Sequence, residues 1–384
     1  MGTIGKCWFL RRRSPILISF RSSYPSIILS RAPDVSSTPF LNYALEDTKK
    51  IVCDVKQALC PTSTPFRALV RYQFDTSGKM LRPLLVTLTA ACANMHANAS
   101  SELSFNDDPL RNLYTNRKLA CAVSPSQHRI AMITEMIHIT SLIHDDLLDS
   151  ADLRRGKEAT YRFFGHREAV LGGNFILTHS SRLLAEIGDT DVIAVLSEVI
   201  SDLIHGELMQ LSSNTDDDTQ RFQTYLNKTY RKTASLVANS CKAAVMLTRP
   251  KLSAELIDSI YEFGRHLGMA FQLIDDVLDF VADEQNLGKP ANGADLQTGI
   301  VTGPVLFAAQ SFPELDAILL RQFSFEGDKE RALELVKRSD GIGQTRMLAE
   351  FHFQAAQRCL ARLRDSPPRQ ALLHVAAKCL QRDK

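Results

Sequence analysis

From Ser126 to Arg249 the chain contains no proline, and across most of that span apolar residues recur at intervals of three and four. Proline interrupts helix interiors, and a three-four spacing lays an apolar stripe along one side of a helix. The segment 131–149, AMITEMIHITSLIHDDLLD, aligns Ile133, Met136, Ile137, Thr140 and Ile143 on one broad stripe. The pattern repeats over 191–211 and, past Pro250, over 254–280. No segment alternates apolar and polar residues between turn signals, as a half-buried strand does. These features predict an all-α fold with roughly ten or more helices in a single bundle-like domain over residues 34–384. Hydrophobic residues make up 45% of the 384, enough for a large core.

Two of the predicted helices close on aspartates. Asp145, Asp146 and Asp149 end the first, and Asp275, Asp276 and Asp279 repeat the same DDxxD spacing in FQLIDDVLDF. Like charges one turn apart repel, and charge beside an apolar core is costly unless something neutralises it. One such cluster reads equally well as an exposed polar helix end. Two of identical spacing point to a bridging cation. Oxygen ligands without His or Cys select Mg²⁺ over zinc, and Mg²⁺ is commonly shared between a few carboxylates and phosphate oxygens. Two facing clusters would therefore hold a diphosphate between them.

Basic residues complete the pattern. Arg154 and Arg155 follow the first cluster, Lys79 and Arg82 lie in GKMLRP, Lys232 precedes Thr233 in RKTASL, and Lys289 lies in LGKP. Arginine offers a planar fork of donors suited to phosphate oxygens. Each of these residues alone is most simply a surface charge. Combined with the acidic clusters they describe a site for two anions, one held through metal and one directly.

The remaining sequence sets limits. Residues 1–33 hold Lys6, Arg11, Arg12, Arg13, Arg21 and Arg31 and no acid, with serines and short apolar runs between them. This composition predicts a mitochondrial transit peptide. The rest of the chain carries 39 basic and 43 acidic residues, a mildly acidic balance that argues against nucleic-acid binding. The eight cysteines form no CxxC pair, which fits a reducing compartment and not a zinc site. No stretch has the length of a membrane span, so any membrane contact is expected to be peripheral. Residues 96–118 read as a polar loop insertion, and 282–299 as a long Gly- and Pro-punctuated loop after the second acidic cluster.

In this order, GKMLRP, EMIHITSLIHDDLLDSADLRRGK, HGELMQL, KTASL and FQLIDDVLDF…LGKP…ADL resemble the trans-isoprenyl diphosphate synthase family, especially its long-chain mitochondrial members that make the ubiquinone side chain. The resemblance implies an isoprenoid-synthase helical bundle with a central cavity. It implies condensation of isopentenyl diphosphate onto an allylic diphosphate, farnesyl or geranylgeranyl, through a carbocation. It assigns the six aspartates to three Mg²⁺ ions, with Asp145, Asp146, Asp149, Lys232, Asp275 and Asp276 central to catalysis. Arg154, Lys232, Thr233, Gln272 and Lys289 then line the allylic diphosphate, and Lys79, Arg82, His138 and Arg155 the isopentenyl diphosphate. Thr140 and Ser141, small residues where short-chain members carry aromatics, leave the floor open for a product of about C40–C50, each five-carbon unit adding roughly 4 kcal/mol of apolar burial. Family precedent allows a homodimer or a heteromer with a second, non-catalytic subunit.

Two departures stand out. Ile300 occupies a position where the family often has Lys, and Gly173-Asn174 replaces a frequent Gly-Asp, with Asn expected to serve as a helix cap. A terpene cyclase would not need the second DDxxD. A silent partner subunit would lack motif aspartates, and all six are present.

Overall fold

A computed structural model describes residues 39–59, 64–74, 80–98, 123–154, 156–211, 218–281 and 293–381. The proposed transit peptide, nearly all of the 96–118 insertion, and Lys79, Arg155 and Lys289 lie outside these residues. The chain is built of helices, as the spacing predicts. In order they are α1 (Pro39–Ala58), α2 (Thr64–Phe74), α3 (Leu81–Ala97), α4 (Pro125–Leu148), α5 (Thr160–Phe164), α6 (His166–Ile187), α7 (Thr190–Leu211) and α8 (Asp218–Thr229). A π-helical turn, Tyr230–Ala234, leads into α9 (Ser235–Met246), followed by α10 (Ala254–Val281), α11 (Ala294–Gln297), α12 (Gly303–Ser311), α13 (Pro313–Leu320), α14 (Asp328–Arg338), α15 (Gly341–Leu360) and α16 (Pro367–Leu380).

One element departs from the expectation of no strands. Leu153–Arg154 (β1) and Lys157–Glu158 (β2) form a two-stranded hairpin, with Leu153 opposite Glu158 and Arg154 opposite Lys157. Strands of two residues are too short to show an alternating pattern, so periodicity could not reveal them.

The helix bearing the first acidic cluster is fixed at its start. Ser124 caps α4 in a capping box with Gln127, and Pro125 occupies the first turn. That arrangement satisfies backbone donors that a helix start leaves open. Gln127 is fully buried and also reaches Asn94 on α3 and the Ala244 carbonyl on α9. The start of α4 is thereby tied to two neighbours.

Helix α9 is the hub. It packs against α3, α4, α7 and α10, so it lies between the two helices that end in aspartates. The contact with α10 is close because Gly264 lacks a side chain: a Cβ there would lie 2.7 Å from the Ala238 Cα. On the other side, a Cβ at Gly173 of α6 would meet His144 Nε2 of α4 at 2.3 Å. These glycines permit backbone approaches that larger residues would block. Asn174 sits inside α6, so it is no helix cap, contrary to the sequence expectation. The residue before it serves close packing instead.

The core is continuous with this arrangement. Ile130, Ile133, Met136 and Ile143 of α4 are buried with Ile176 of α6 and Leu196 of α7. Ile260, Phe263 and Leu267 of α10 are buried with Leu88 of α3, Cys241 of α9 and Phe353 of α15. Cys53, Cys92, Cys241, Cys359 and Cys379 are free thiols. Among the described residues no helix is long and apolar enough to cross a membrane.

Candidate active site

Both acidic clusters stand at helix C-terminal ends. Asp145 and Asp146 lie in the last turn of α4, and Asp149 is its C-cap, its N–H donating to the Asp145 carbonyl at 2.8 Å. Asp275, Asp276 and Asp279 lie in the last two turns of α10. A helix C-terminus already carries partial negative charge, so carboxylates there need outside compensation.

At the first cluster, part of that compensation is cationic. Asp146 is 2% exposed and accepts from Arg154 Nε at 2.7 Å and from a terminal guanidinium nitrogen of the same residue. The hairpin thus returns Arg154 to the helix end that precedes it. Lys232 Nζ lies 2.5 Å from Glu207 Oε1 and donates to Gln210 Oε1 at 3.0 Å. Glu207 in turn is hydrogen-bonded to Asp145. Burial, together with the negative charge of Glu207, pushes the Asp145 carboxyl up to about 7. Asp149 is also raised, chiefly by burial and against the pull of Lys232.

At the second cluster the donors are neutral. Asp276, 3% exposed, accepts from Tyr225 Oη at 2.5 Å on one oxygen and from Gln272 Nε2 at 2.9 Å on the other. Gln272 Oε1 accepts from Thr233 Oγ1 at 2.8 Å. Asp279 accepts the N–H groups of Ala294 and Asp295 at 3.0 and 3.2 Å, holding the start of α11. Burial pushes Asp276 and Asp279 up to about 6, with Asp295 adding to the effect on both.

Adjacent residues join the clusters. Lys232 faces Glu207 and the first cluster, and Thr233 faces Gln272 and the second. Both sit in the π-helical turn, which packs on α7 and α10. Residues 39 positions apart in sequence, Thr233 and Gln272, meet because Gly268 lets that turn approach α10.

Of the residues expected around a second anion, Arg82 and His138 are in contact, Arg82 Nη1 lying 2.9 Å from His138 Nε2. His138 is 7% exposed, two turns before Asp145 on α4. Thr140 and Ser141 diverge. Thr140 is buried and donates to the Gly173 carbonyl of α6 at 3.4 Å. Ser141 keeps partial exposure and donates to the His138 carbonyl at 2.9 Å.

The donor set fits Mg²⁺. It offers carboxylate oxygens without His or Cys, crowded enough to raise one another's protonation. Among the described residues no three or more His, Cys, Asp or Glu side chains converge as a metal cage. Mg²⁺ needs none, since it binds through one or two carboxylates plus water and phosphate oxygens.

Sequence reasoning passed over Glu207, Gln210, Tyr225 and Lys228. Glu207 and Gln210 lie in HGELMQL three residues apart, a spacing that shares a helix face. Tyr225 and Lys228 carried no signal in one sequence.

Comparison with known proteins agrees with this geometry. An all-trans-polyprenyl-diphosphate synthase of Homo sapiens is 43% identical over 338 residues, 88% of this chain and 76% of that one. The decaprenyl-diphosphate synthase subunit 1 of Schizosaccharomyces pombe is 39% identical over 347 residues, 88% of this chain and 90% of that one. Other relatives are named as mitochondrial synthases. The crystal structure of a polyprenyl synthase from Caulobacter crescentus, complexed with calcium and isoprenyl diphosphate, superposes with a TM-score of 0.74 at 26% identity, covering 90% of this chain and 97% of that one. The polyprenyl synthetase family model matches residues 63–336, and this chain belongs to that family.

Proposed function

We propose that this chain is a Mg²⁺-dependent long-chain all-trans-polyprenyl diphosphate synthase. It lengthens an allylic diphosphate, farnesyl or geranylgeranyl, by successive additions of isopentenyl diphosphate, to about C40–C50 on family analogy. One observation carries the reading: adjacent residues of the π turn reach a neighbour of each cluster, Lys232 pairing with Glu207 beside Asp145 and Thr233 bonding Gln272 beside Asp276.

In this reading Asp145, Asp146, Asp149, Asp275, Asp276 and Asp279 would hold Mg²⁺, three ions on family analogy, for the allylic diphosphate. Held there, Mg²⁺ would supply Lewis-acid stabilisation of a diphosphate leaving group. Arg154, Lys232 and Lys289 stabilise the same leaving group with positive charge, and Thr233 and Gln272 set its bed. The C1–O bond breaks and its electron pair leaves with the diphosphate. Lys79, Arg82, His138 and Arg155 hold isopentenyl diphosphate so that its double bond attacks C1. A proton is then lost from the new cation, with the released diphosphate as acceptor. The apolar packing around α4 and α10 keeps water from the cation.

Residues 1–33 serve as a cleaved import signal for the mitochondrial matrix, which their basic, acid-free composition supports. The product serves as the ubiquinone side chain. The chain works as a homodimer or beside a second, non-catalytic subunit. Ile204 and Leu208, one turn apart on α7, are more than half exposed and offer apolar surface for such a contact.

The test is incorporation of labelled isopentenyl diphosphate by the purified chain, alone and with a candidate partner. Chain elongation that stops on chelation supports the reading, and a cyclic hydrocarbon product rejects it. Replacing Ser141 by Phe should shorten the product with little loss of stability. Thr140→Phe, forced against α6, should cost about 1–3 kcal/mol of folding stability. Unchanged product length in Ser141→Phe would reject a tail path along this face of α4.

A further inference from the structure

We infer that Lys228, outside every motif named above, is a further binding residue for the diphosphate held between the two aspartate clusters. The inference rests on the function proposed above. Its geometry is set by two anchors on the same stripe of chain. Three residues before it, Tyr225 is fixed to Asp276 at 2.5 Å. Four residues after it, Lys232 is fixed to Glu207 at 2.5 Å. Positions three and four apart share a helix face, so Lys228 projects between the two clusters.

Its electrostatic surroundings agree with that placement. Asp276 of the second cluster and Asp295 of α11 act on it from one side, Glu207 beside the first cluster acts from the other, and Lys232 opposes them with like charge. Arg154 and Lys232 each have a carboxylate in contact. Among the described residues no ion pair includes Lys228. A half-buried ammonium, near acids on two sides but in no ion pair with them, is positioned for an anion that enters with its own cations. Inorganic pyrophosphate carries that chemistry, as does the diphosphate end of the allylic substrate. A lysine that only offset Asp276 and Asp295 would affect folding without discriminating between the two diphosphate positions.

The experiment is calorimetric titration of the full chain with inorganic pyrophosphate in Mg²⁺, and separately with isopentenyl diphosphate, for wild type, Lys228→Met and Lys228→Arg. Thermal midpoints are measured alongside. The expected result is about ten-fold weaker pyrophosphate binding in Lys228→Met, isopentenyl diphosphate affinity within two-fold of wild type, and recovery of most of the loss in Lys228→Arg. In turnover the same variant should raise KM for the allylic diphosphate and leave KM for isopentenyl diphosphate unchanged. Wild-type pyrophosphate affinity in Lys228→Met would overturn this assignment alone. So would equal loss of both ligands with a lowered thermal midpoint. A wild-type chain that binds neither ligand would overturn the underlying function and this residue's role with it.

Discussion

At the end of α4, buried Asp146 is held by the guanidinium of Arg154, while near the end of α10, buried Asp276 is held by a phenol and an amide. The spacing of acids is the same in both places. The first cluster sits among charged partners: Arg154 on a hairpin and Lys232 paired with Glu207. The second is fixed by neutral donors and by two backbone N–H groups of α11. Charged partners can be exchanged for a ligand's phosphates at low cost, because one ion pair replaces another. Satisfied neutral hydrogen bonds within a core rigidify it and set position. In the function proposed above, the first cluster would exchange partners with the diphosphate, and the second would set the position of its helix end.

The largest expected effect tests whether both clusters are needed. Asp145→Asn and Asp275→Asn should each lower kcat by about 10²–10³, the range for loss of one transition-state charge stabiliser. Steady-state kinetics at saturating Mg²⁺ reads this directly. A loss under ten-fold in either variant would break the two-sided grip.

Next in size is Tyr225→Phe. It leaves one oxygen of a buried carboxylate without its donor, so unfolding should ease by about 1–3 kcal/mol. Denaturant unfolding without metal measures it. Because the lost bond has a neutral donor, the change should be the same at low and high salt. Strong salt dependence would erase the distinction between the clusters.

The same contrast is testable in pH. Asp145 is pushed up to about 7, and Asp276 and Asp279 to about 6, from the ordinary carboxylate value of 3.8. Between about pH 4 and 7 the metal-free folded chain therefore binds more protons than the unfolded chain. Its stability falls as pH rises through that window. Mg²⁺ favours the ionised carboxylates, so its stabilising shift in Tm should be larger at pH 8 than at pH 5. A metal-free Tm that rises across this window would give the carboxylates the opposite surroundings.

The helices and the clusters were legible because they follow from periodicity and from the cost of like charges on one helix. Other features depend on neighbours in space. The hairpin that returns Arg154 to Asp146 has strands too short to show a pattern. Gln272 is named by its motif, yet its bond to Thr233 needs the close approach of the π turn to α10 before it exists. Thr140 and Ser141 look equivalent in sequence. Only the position of α6 separates them, burying one and leaving the other partly open. Lys228 is one lysine among many until Tyr225 and Lys232 are anchored on either side of it.

The wide turn at Tyr230–Ala234 has a consequence for how the gene can tolerate length changes. A π turn carries one surplus residue relative to an ordinary helix, and each residue of helix advances the side-chain direction by about 100°. Deleting any one of the five would let the segment relax into regular winding and swing the chain before it out of phase with the chain after it. Tyr225 could then meet Asp276, or Thr233 could meet Gln272, but both contacts would not close together. A frame-preserving loss of one codon here should therefore be far more damaging than most single replacements within the same stretch.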